Sequence, residues 1–174
     1  MTNQETFPDD ANVLNIELGA GCGDFGKRFY APCYLTELAQ PTCPIFFIDH
    51  ICDAHNLPWA KDRFIKVIAC NPFGYGFIDE DSTTKLMDEI SRVIITTGEI
   101  LIISASRNQF GNYGNINIQI AKYRIKNPHL SITITQQANT NAAIKAIFPD
   151  YVFYQVNGKT VATPDQFIII KITK

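Results

Sequence analysis

Seven short apolar runs, rich in β-branched and aromatic residues, recur along the chain and predict seven β-strands. They are NVLNIEL (12–18), CYLTEL (33–38), IFFID (45–49), FIKVIAC (64–70), EILIISA (99–105), LSITITQ (130–136) and QFIIIKI (166–172). Most of them lack strict alternation of polar and apolar residues. This is typical of strands that are covered on both faces in a parallel sheet.

Helical patterns fall between several of these runs. The segment STTKLMDEISRVIITT has four apolar residues on one helical face behind a Ser/Thr cap: Leu86, Ile90, Val93 and Ile94. We expect this helix to end before Gly98. Weaker helical patterns occur in NINIQIAKYRIKN and TNAAIKAIFPD. Alternating strands and helices predict an α/β sandwich built of βαβ units.

Two regions depart from this regular alternation. The segment YVFYQVNGKTVATPDQFIIIKI predicts either a hairpin with a tight turn at Asn157–Gly158, or a strand and loop before the final strand. A terminal antiparallel strand on a mostly parallel sheet would fit. Between Leu38 and Ile45 the chain has only AQPTCP, whereas a parallel crossover usually needs about ten or more residues. Either that crossover is reduced to a loop, or one of the flanking runs is not a sheet strand.

Composition and charge predict an ordinary globular domain. The 174 residues suit one domain, residues 1–174, with 46% hydrophobic and 18% charged residues. The formal net charge of -2 provides no overall attraction to nucleic acid. No apolar run is long enough to span a bilayer, and MTNQETFPDD lacks the features of a signal peptide. We therefore expect a soluble, cytoplasmic chain with no membrane partner.

The cysteines and histidines do not form a recognisable metal or disulfide motif. The five cysteines are odd in number and include no Cys-x-x-Cys pair: Cys22, Cys33, Cys43, Cys52 and Cys70. This pattern favours free, mostly buried thiols over a disulfide framework or a zinc knuckle. His50 and His55 flank Asp53 without the spacing of a known ligand set, so no metal is predicted.

The segment NIELGAGCGDFG, residues 15–26, is a candidate ligand-binding loop. Its four glycines follow an apolar run that carries one acid, Glu17. Closely spaced glycines after a first strand allow a nucleoside ligand to approach the backbone. The glycines at 21, 23 and 26 also satisfy the dinucleotide pattern G-x-G-x-x-G, so a nicotinamide-dependent oxidoreductase is an alternative. A ribose needs a carboxylate at the end of a following strand, where both Glu37 and Asp49 are candidates.

Nearly the whole chain resembles the class I methyltransferases that use S-adenosylmethionine. The likeness extends from ELGAGCG through DAHNLPW and VIACNPFGYGF to LMDEISRVIITTGEILIIS. It implies a Rossmann-like three-layer sandwich with a mostly parallel seven-stranded sheet and a terminal antiparallel strand. The helix after the second strand is expected to be shortened or missing, which departs from the usual pattern of the family.

The resemblance also implies a set of residues that bind S-adenosylmethionine. The glycine loop would lie under the methionine part of the cofactor, with Glu17 near its amino group. Glu37 would bind the ribose and Asp53 the adenine amino group, although the missing helix leaves Asp49 as a rival to Glu37. The positions implied are Glu17, Gly19, Ala20, Gly21, Gly23, Glu37, Asp53, Ala54 and Asn71.

The segment NPFGYGF, residues 71–77, is similar to the Asn/Asp-Pro-Pro-aromatic loop of methyltransferases that act on nucleobase or amide nitrogen. The resemblance makes Asn71, Phe73 and Tyr75 candidate catalytic residues, with the amide accepting from the target amine and an aromatic ring stacking on it. Here Phe73 replaces the second proline, and Tyr75 follows Gly74. The alternative is that these aromatic residues only pack the loop against the domain.

A second loop, SASRNQFGNYGN, follows the fifth predicted strand on the same edge as the cofactor. Asn108, Phe110 and Tyr113 are candidates for the wall of an acceptor pocket, and Arg107 for contact with an anionic group. They could equally form a polar surface loop.

Together these features predict a small S-adenosylmethionine-dependent methyltransferase. Its acceptor is unidentified, with an amine or amide nitrogen as one candidate, and the short chain suggests a small acceptor or help from a protein partner. The alternative is a catalytically degenerate methyltransferase-fold interaction module, because compact chains with a similar loop resemble modules of bacterial toxin systems. The intact glycines and Asp53 favour the enzyme, whereas the altered loop and the missing helix favour the module.

Overall fold

One mixed β-sheet organises the part of the chain that the structure, a computed structural model, describes: residues 9–42, 48–154 and 157–174. Its strands are β1 (Asn15–Glu17), β2 (Cys33–Glu37), β3 (His50–Ile51), β4 (Phe64–Cys70), β5 (Ile94–Ser104), β6 (Ser131–Ala138) and β7 (Gln166–Thr173). The helices are α1 (Phe25–Phe29), α2 (Glu80–Val93), α3 (Tyr113–Lys126) and α4 (Asn141–Ile147).

The seven strands lie in the order β3-β2-β1-β4-β5-β7-β6. Neighbouring strands from β3 to β5 are parallel, whereas β7 runs antiparallel to both β5 and β6. The predicted mostly parallel sheet with a terminal antiparallel strand is therefore confirmed. Since strand order reverses between β1 and β4, the carboxyl ends of these strands form the crevice in which such sheets bind ligands.

Two apolar clusters on opposite faces of the sheet give the protein three layers. In β4, Val67 and Ala69 belong to the cluster that includes the apolar sides of α2 and α3. The alternate residue Ile68 packs with Phe25 of α1 and Ile144 of α4 on the other face. Both faces of the central strands are thus covered, which explains why their sequences are almost continuously apolar.

The connection between β2 and β3 has no helix in residues 38–42 and 48–49, its described part. Most of the predicted strand over residues 45–49 lies outside the described residues. The strand that pairs with β2 is His50–Ile51, immediately after that run. In the described residues, the prediction of a shortened or missing helix after the second strand therefore holds.

The helix predicted over residues 82–97 differs from α2 at both ends. Its N-cap is Asp79, whose side chain accepts a hydrogen bond of 2.8 Å from the Ser82 amide. The helix ends at Val93 because Ile94 is extended and pairs with Phe64 of β4. The next residues continue β5, where Thr97 pairs with Thr173. Pairing with strands that are distant in sequence has overridden the local helical pattern.

The segment before β7 matches neither predicted alternative in full, because its described residues form no strand and only one bridge. Tyr154 and Thr160 form an isolated antiparallel bridge, while β7 pairs with β5 and β6 rather than with this segment. Among the described residues, a loop with Gly158 at φ 77° therefore precedes the final strand.

The prediction of five free thiols is wrong for Cys22, which is disulfide-bonded. Free thiols are found at Cys33, Cys52 and Cys70. The prediction for Cys43 lies outside the described residues. The number and spacing of cysteines do not reveal which thiols the fold brings together, so an odd number of cysteines does not exclude a disulfide bond.

Helix α1 packs directly on the first two strands through Gly26. The Gly26 amide donates a hydrogen bond of 2.6 Å to Oε2 of Glu17 in β1. A Cβ atom on Gly26 would lie 2.6 Å from Sγ of Cys33 in β2 and 3.0 Å from Oε2 of Glu17. The fourth glycine of the loop therefore allows close contact between helix and strands.

We expect Gly26→Ala to lower the free energy of unfolding by about 1–3 kcal/mol, because the added methyl group overpacks a buried contact. Gly114→Ala is the matched control: its Cβ would meet only Asn112 Oδ1, at 3.4 Å, near the start of α3. That change should be neutral or stabilise by up to about 1 kcal/mol through helix propensity. Urea denaturation followed by circular dichroism measures both. Equal stability of the two variants would contradict the close-packing explanation.

Candidate functional site

A cleft in two compartments lies at the carboxyl ends of β1, β2, β3 and β4. The first compartment, of about 370 Å³, is lined by Gly19, Ala20, Gly21, Glu37, Cys70, Asn71, Phe73 and Tyr154. The second, of about 260 Å³, is lined by Gly19, Thr36, Glu37, Leu38, Cys52, Asp53, Ala54, His55, Phe73, Gly74 and Tyr75. Gly19, Glu37 and Phe73 line both compartments, so the two are adjacent parts of one site.

The glycine loop after β1 is held in place from several sides. The Ala20 amide donates to the Thr36 carbonyl at 2.9 Å, and the Gly21 amide donates to Oε2 of Glu37 at 2.9 Å. Gly19 has φ +59°, and a Cβ there would lie 2.5 Å from Cε1 of Tyr75. Only glycine satisfies both the left-handed backbone and the close ring. The loop therefore exposes backbone to the cleft with no side chain at this point.

The structure separates the two candidate ribose-binding acids. Glu37 ends β2 and lines both compartments, with Oε1 accepting from the Leu38 amide at 2.8 Å. Asp49 instead accepts 2.8 Å hydrogen bonds from Lys27 Nζ and from the Leu35 amide, and it lines neither compartment. The geometry therefore favours Glu37, and the ribose role itself stays a prediction.

Asp53 and Ala54 lie just after β3 in the wall of the second compartment. Oδ1 of Asp53 accepts from the His55 amide at 2.9 Å and lies 2.9 Å from Nδ1 of the His55 ring. The hydrogen bond from the His55 amide is the main cause of the lowered pKa of Asp53, with further help from the ring. The side chain is 52% exposed, so a turn-forming aspartate here also presents a carboxylate to the cleft.

Two of the predicted cofactor-binding residues, Glu17 at the end of β1 and Gly23 within the glycine loop, line neither compartment. A Cβ on Gly23 would lie 2.8 Å from the hydroxyl of Tyr151. The Glu17 side chain is buried beneath the loop, where its carboxyl accepts from the Gly26 amide. Burial raises the pKa of Glu17 to about 8, although the Gly26 hydrogen bond opposes the shift.

The NPFGYGF loop follows β4 and contributes to both compartments. Asn71 has φ +55°, and its Oδ1 accepts from Nδ2 of Asn108 at 3.1 Å. The same Asn108 amide donates to the Pro72 carbonyl at 2.9 Å. Phe73 is 81% exposed, and its ring meets Phe110 edge-on with centroids 5.4 Å apart. Asn71 and Phe73 are thus held at the cleft by the loop after β5.

Tyr75 differs from Phe73 because its ring is buried under the glycine loop. Its hydroxyl donates to the Leu18 carbonyl at 2.5 Å, and burial raises the pKa of Tyr75 well above its usual value. In this arrangement the ring supports Gly19 and is not free to stack on an acceptor. Tyr75 therefore packs the loop against the domain, as the alternative interpretation expects, whereas the Phe73 ring is exposed and accessible to a ligand.

The second predicted loop supports the site from outside it. Asn108 and Phe110 hold the NPFGYGF loop, and the Tyr113 amide at the start of α3 donates to Oε1 of Gln166 at 3.0 Å. Neither these three residues nor Arg107 line the two compartments. The contact of these four residues with an acceptor therefore stays a prediction, and it would lie outside the two compartments.

Several residues that line the cleft were not predicted. Leu38, Cys52 and Cys70 are adjacent in sequence to the predicted Glu37, Asp53 and Asn71. This adjacency is the sequence feature that could have identified them. Tyr154 comes from the loop between α4 and β7. No local motif marks it, because only the folded chain brings that loop to the glycine segment.

Two classes of feature are absent from the described ranges 9–42, 48–154 and 157–174. No group of three or more His, Cys, Asp or Glu side chains is placed there to hold a metal ion. None of the helices within these ranges has the length and apolar character needed to cross a membrane.

Comparison with known proteins identifies the fold. No family model matches the chain, and no curated protein matches it in sequence. A S-adenosylmethionine-dependent methyltransferase from Thermotoga maritima, described as a possible histamine N-methyltransferase, aligns with TM-score 0.53 and 12% identity over 92% of this chain and 82% of its own. A S-adenosylmethionine-dependent methyltransferase from Aquifex aeolicus aligns with TM-score 0.53 and 9% identity over 94% of this chain and 83% of its own.

A third similar structure is geranyl diphosphate C-methyltransferase from Streptomyces coelicolor, in complex with Mg²⁺, geranyl diphosphate and S-adenosyl-L-homocysteine. It aligns with TM-score 0.52 and 15% identity over 95% of this chain and 72% of its own. This chain therefore has the class I, Rossmann-like methyltransferase fold, as the resemblance of its sequence to that family implied. The antiparallel β7 between β5 and β6 also distinguishes it from the six-stranded dinucleotide-binding fold.

We expect the buried Glu17 to make stability depend on pH. Its pKa in the folded protein is about 8, above the usual 4.5, so folding favours the neutral carboxyl. This contribution is complete below about pH 4.5 and is lost as pH rises to about 8, by up to about 1.4 kcal/mol per pH unit. Glu17→Gln should remove that loss, as measured by urea denaturation across the range.

Glu80→Gln is the control, because Glu80 is an exposed carboxylate paired with Lys126. It should leave the Glu17-dependent loss in place. A Glu17→Gln variant with the same pH profile as the parent chain would show that Glu17 titrates normally.

Proposed function

We propose that this chain is a methyltransferase that uses S-adenosylmethionine. The observation that carries the proposal is the composition of one cleft. The glycine loop, Glu37, Asp53 and Asn71 come from four separate segments, and all line adjacent compartments at the strand ends. In open α/β sheets this crevice is where nucleotide-like ligands bind.

The second compartment suits the nucleoside part of the cofactor. Both oxygens of Glu37 already accept one backbone hydrogen bond, and each retains a lone pair for a ribose hydroxyl. Asp53 uses Oδ1 for both His55 contacts, which leaves Oδ2 to accept from the adenine amino group. Leu38, 68% exposed, adds an apolar surface beside Glu37 for the adenine ring.

The first compartment suits the methionine part and the reaction centre. Gly19, Ala20 and Gly21 provide a floor on which no large side chain obstructs a ligand. The carboxylate of Glu37 complements the positive charge of a sulfonium. Asn71 stands at the junction with the acceptor space, held by Asn108. Its Oδ1 retains one lone pair, which can accept from an amine or amide N–H of the acceptor.

When bound, S-adenosylmethionine supplies a methyl group on a positively charged sulfur. With the cofactor held by the glycine loop, Glu37 and Asp53, the acceptor lone pair would form the new bond to the methyl carbon, and the electrons of the broken carbon–sulfur bond would stay on sulfur. The chain's contribution is to align the acceptor through Asn71 and Phe73. No base from this chain takes part in the proposal, so a proton lost by the acceptor goes to water.

A second candidate function is an interaction module in which the fold is kept without catalysis. Tyr75 favours this candidate. Its ring packs under Gly19 and its hydroxyl bonds the Leu18 carbonyl, so it cannot stack on a methyl acceptor. The cofactor-binding test below separates the two.

We expect S-adenosylmethionine and S-adenosylhomocysteine to bind the purified chain saturably and with one site in isothermal titration calorimetry. NAD should give no saturable heat, because the strand order of this sheet differs from that of the dinucleotide-binding fold. Binding of NAD alone would favour an oxidoreductase. No binding of any of the three would favour the interaction module.

We expect Glu37→Gln to weaken S-adenosylhomocysteine binding about tenfold, because ribose hydroxyls lose a charged acceptor. Glutamine keeps an oxygen for the Gly21 amide, so the glycine loop should hold its shape, while its NH2 group replaces the oxygen that accepts from the exposed Leu38 amide. Asp49→Asn is the matched control, since Asp49 lines neither compartment. Calorimetry of both variants, with circular dichroism as a check on folding, measures the difference. A larger loss for Asp49→Asn would reverse the assignment.

A further inference from the structure

Phe73 is an apolar ring placed at the cleft and held in a fixed position. It is 81% exposed and is the one aromatic residue among the exposed large hydrophobic side chains of residues 9–42, 48–154 and 157–174. Phe110 packs against its ring, and the Phe77 amide donates to the Phe110 carbonyl at 2.8 Å. An exposed ring on a supported loop at a cleft marks a contact surface for a ligand.

Tyr154 lines the first compartment from a different segment of the chain. The preceding Phe153 is buried in the apolar cluster around Phe25, which anchors this loop to α1. The Tyr151 hydroxyl accepts from the Asp24 amide at 3.2 Å, immediately after the glycine loop. Tyr154 itself bridges to Thr160. Two supported aromatic residues, Phe73 and Tyr154, thus contribute to one compartment.

The charge and size of the first compartment restrict what it accepts. Among the described residues of its lining, Glu37 is the one that carries a charge, and none is a lysine, arginine or histidine. The carboxylate of the methionine part is offset by the ammonium and sulfonium charges of the same molecule, whereas a phosphate or carboxylate on the acceptor would find no cationic side chain among these residues and would meet the charge of Glu37. The volume of about 370 Å³ must also hold the methionine part of the cofactor, so the acceptor has room for one or two rings.

We propose that the methyl acceptor is a small, uncharged, planar aromatic or heteroaromatic amine that binds against Phe73 and Tyr154. This inference rests on the proposed methyltransferase function and narrows its substrate class. The ring nitrogen or amino nitrogen uses its lone pair to bond the methyl carbon, while the carbon–sulfur pair remains on sulfur. The nitrogen then carries the positive charge, or an N–H acceptor releases a proton to water.

The test titrates aniline, 2-aminopyridine and benzimidazole into the chain saturated with S-adenosylhomocysteine. At least one of these probes should bind saturably. When S-adenosylmethionine replaces S-adenosylhomocysteine, the same probe should be methylated, as detected by mass spectrometry. The anionic counterparts 4-aminobenzoate and benzimidazole-5-carboxylate should bind about tenfold more weakly or not at all. Equal or tighter binding of the anions would overturn the proposal.

Variants then locate the aromatic probe. Phe73→Ala and Tyr154→Ala should each weaken its binding about tenfold, the size expected for loss of a stacking ring. Tyr154→Phe should restore affinity, because it keeps the ring. Ile125→Ala is the matched control: Ile125 is also 81% exposed but lies on α3 and lines neither compartment. Probe binding that is unchanged in both alanine variants would overturn the proposal.

Binding of S-adenosylhomocysteine without binding of any planar probe would overturn this inference alone. Failure of S-adenosylhomocysteine to bind would instead overturn the proposed function, and this inference with it.

Discussion

The hydrogen bond from the Gly26 amide to the buried Glu17 carboxyl, 2.6 Å long, joins the first strand to the first helix. A buried polar group without a partner is costly, so this bond resists any separation of α1 from β1. It closes the glycine loop from below. Thr36, Glu37 and Tyr75 hold the same loop from the side, which leaves the backbone of Gly19 and Gly21 at the cleft.

The rest of the site follows from a sheet whose strand ends meet at one edge. Most walls are short segments after a strand, Tyr154 comes from the loop before β7, and hydrogen bonds join several of these loops. Asn108 connects the loop after β5 to Asn71 and Pro72 in the loop after β4. Tyr151 connects the loop before β7 to the start of α1. These two connections join segments that line or adjoin the two-part cleft.

The same segments also explain why chemically similar residues have different positions. Phe73 and Tyr75 are two residues apart, yet one ring is exposed at the cleft and the other is buried under Gly19. Glu37 and Asp49 both stand at the ends of predicted strands, yet Lys27 and the Leu35 amide bind Asp49 away from the cleft. In each pair the difference comes from partners contributed by distant segments, which residue type and spacing do not reveal.

The sequence by itself determined the class of fold, because burial on both faces produces continuous apolar runs, and the run at residues 64–70 coincides with β4. It also placed the glycine loop, since backbone freedom is a local property. Only the tertiary structure decided that residues 94–97 extend β5, that Cys22 is disulfide-bonded and that Tyr154 reaches the cleft. These outcomes depend on pairing and contact between distant segments, whose energy appears only once the sheet is assembled.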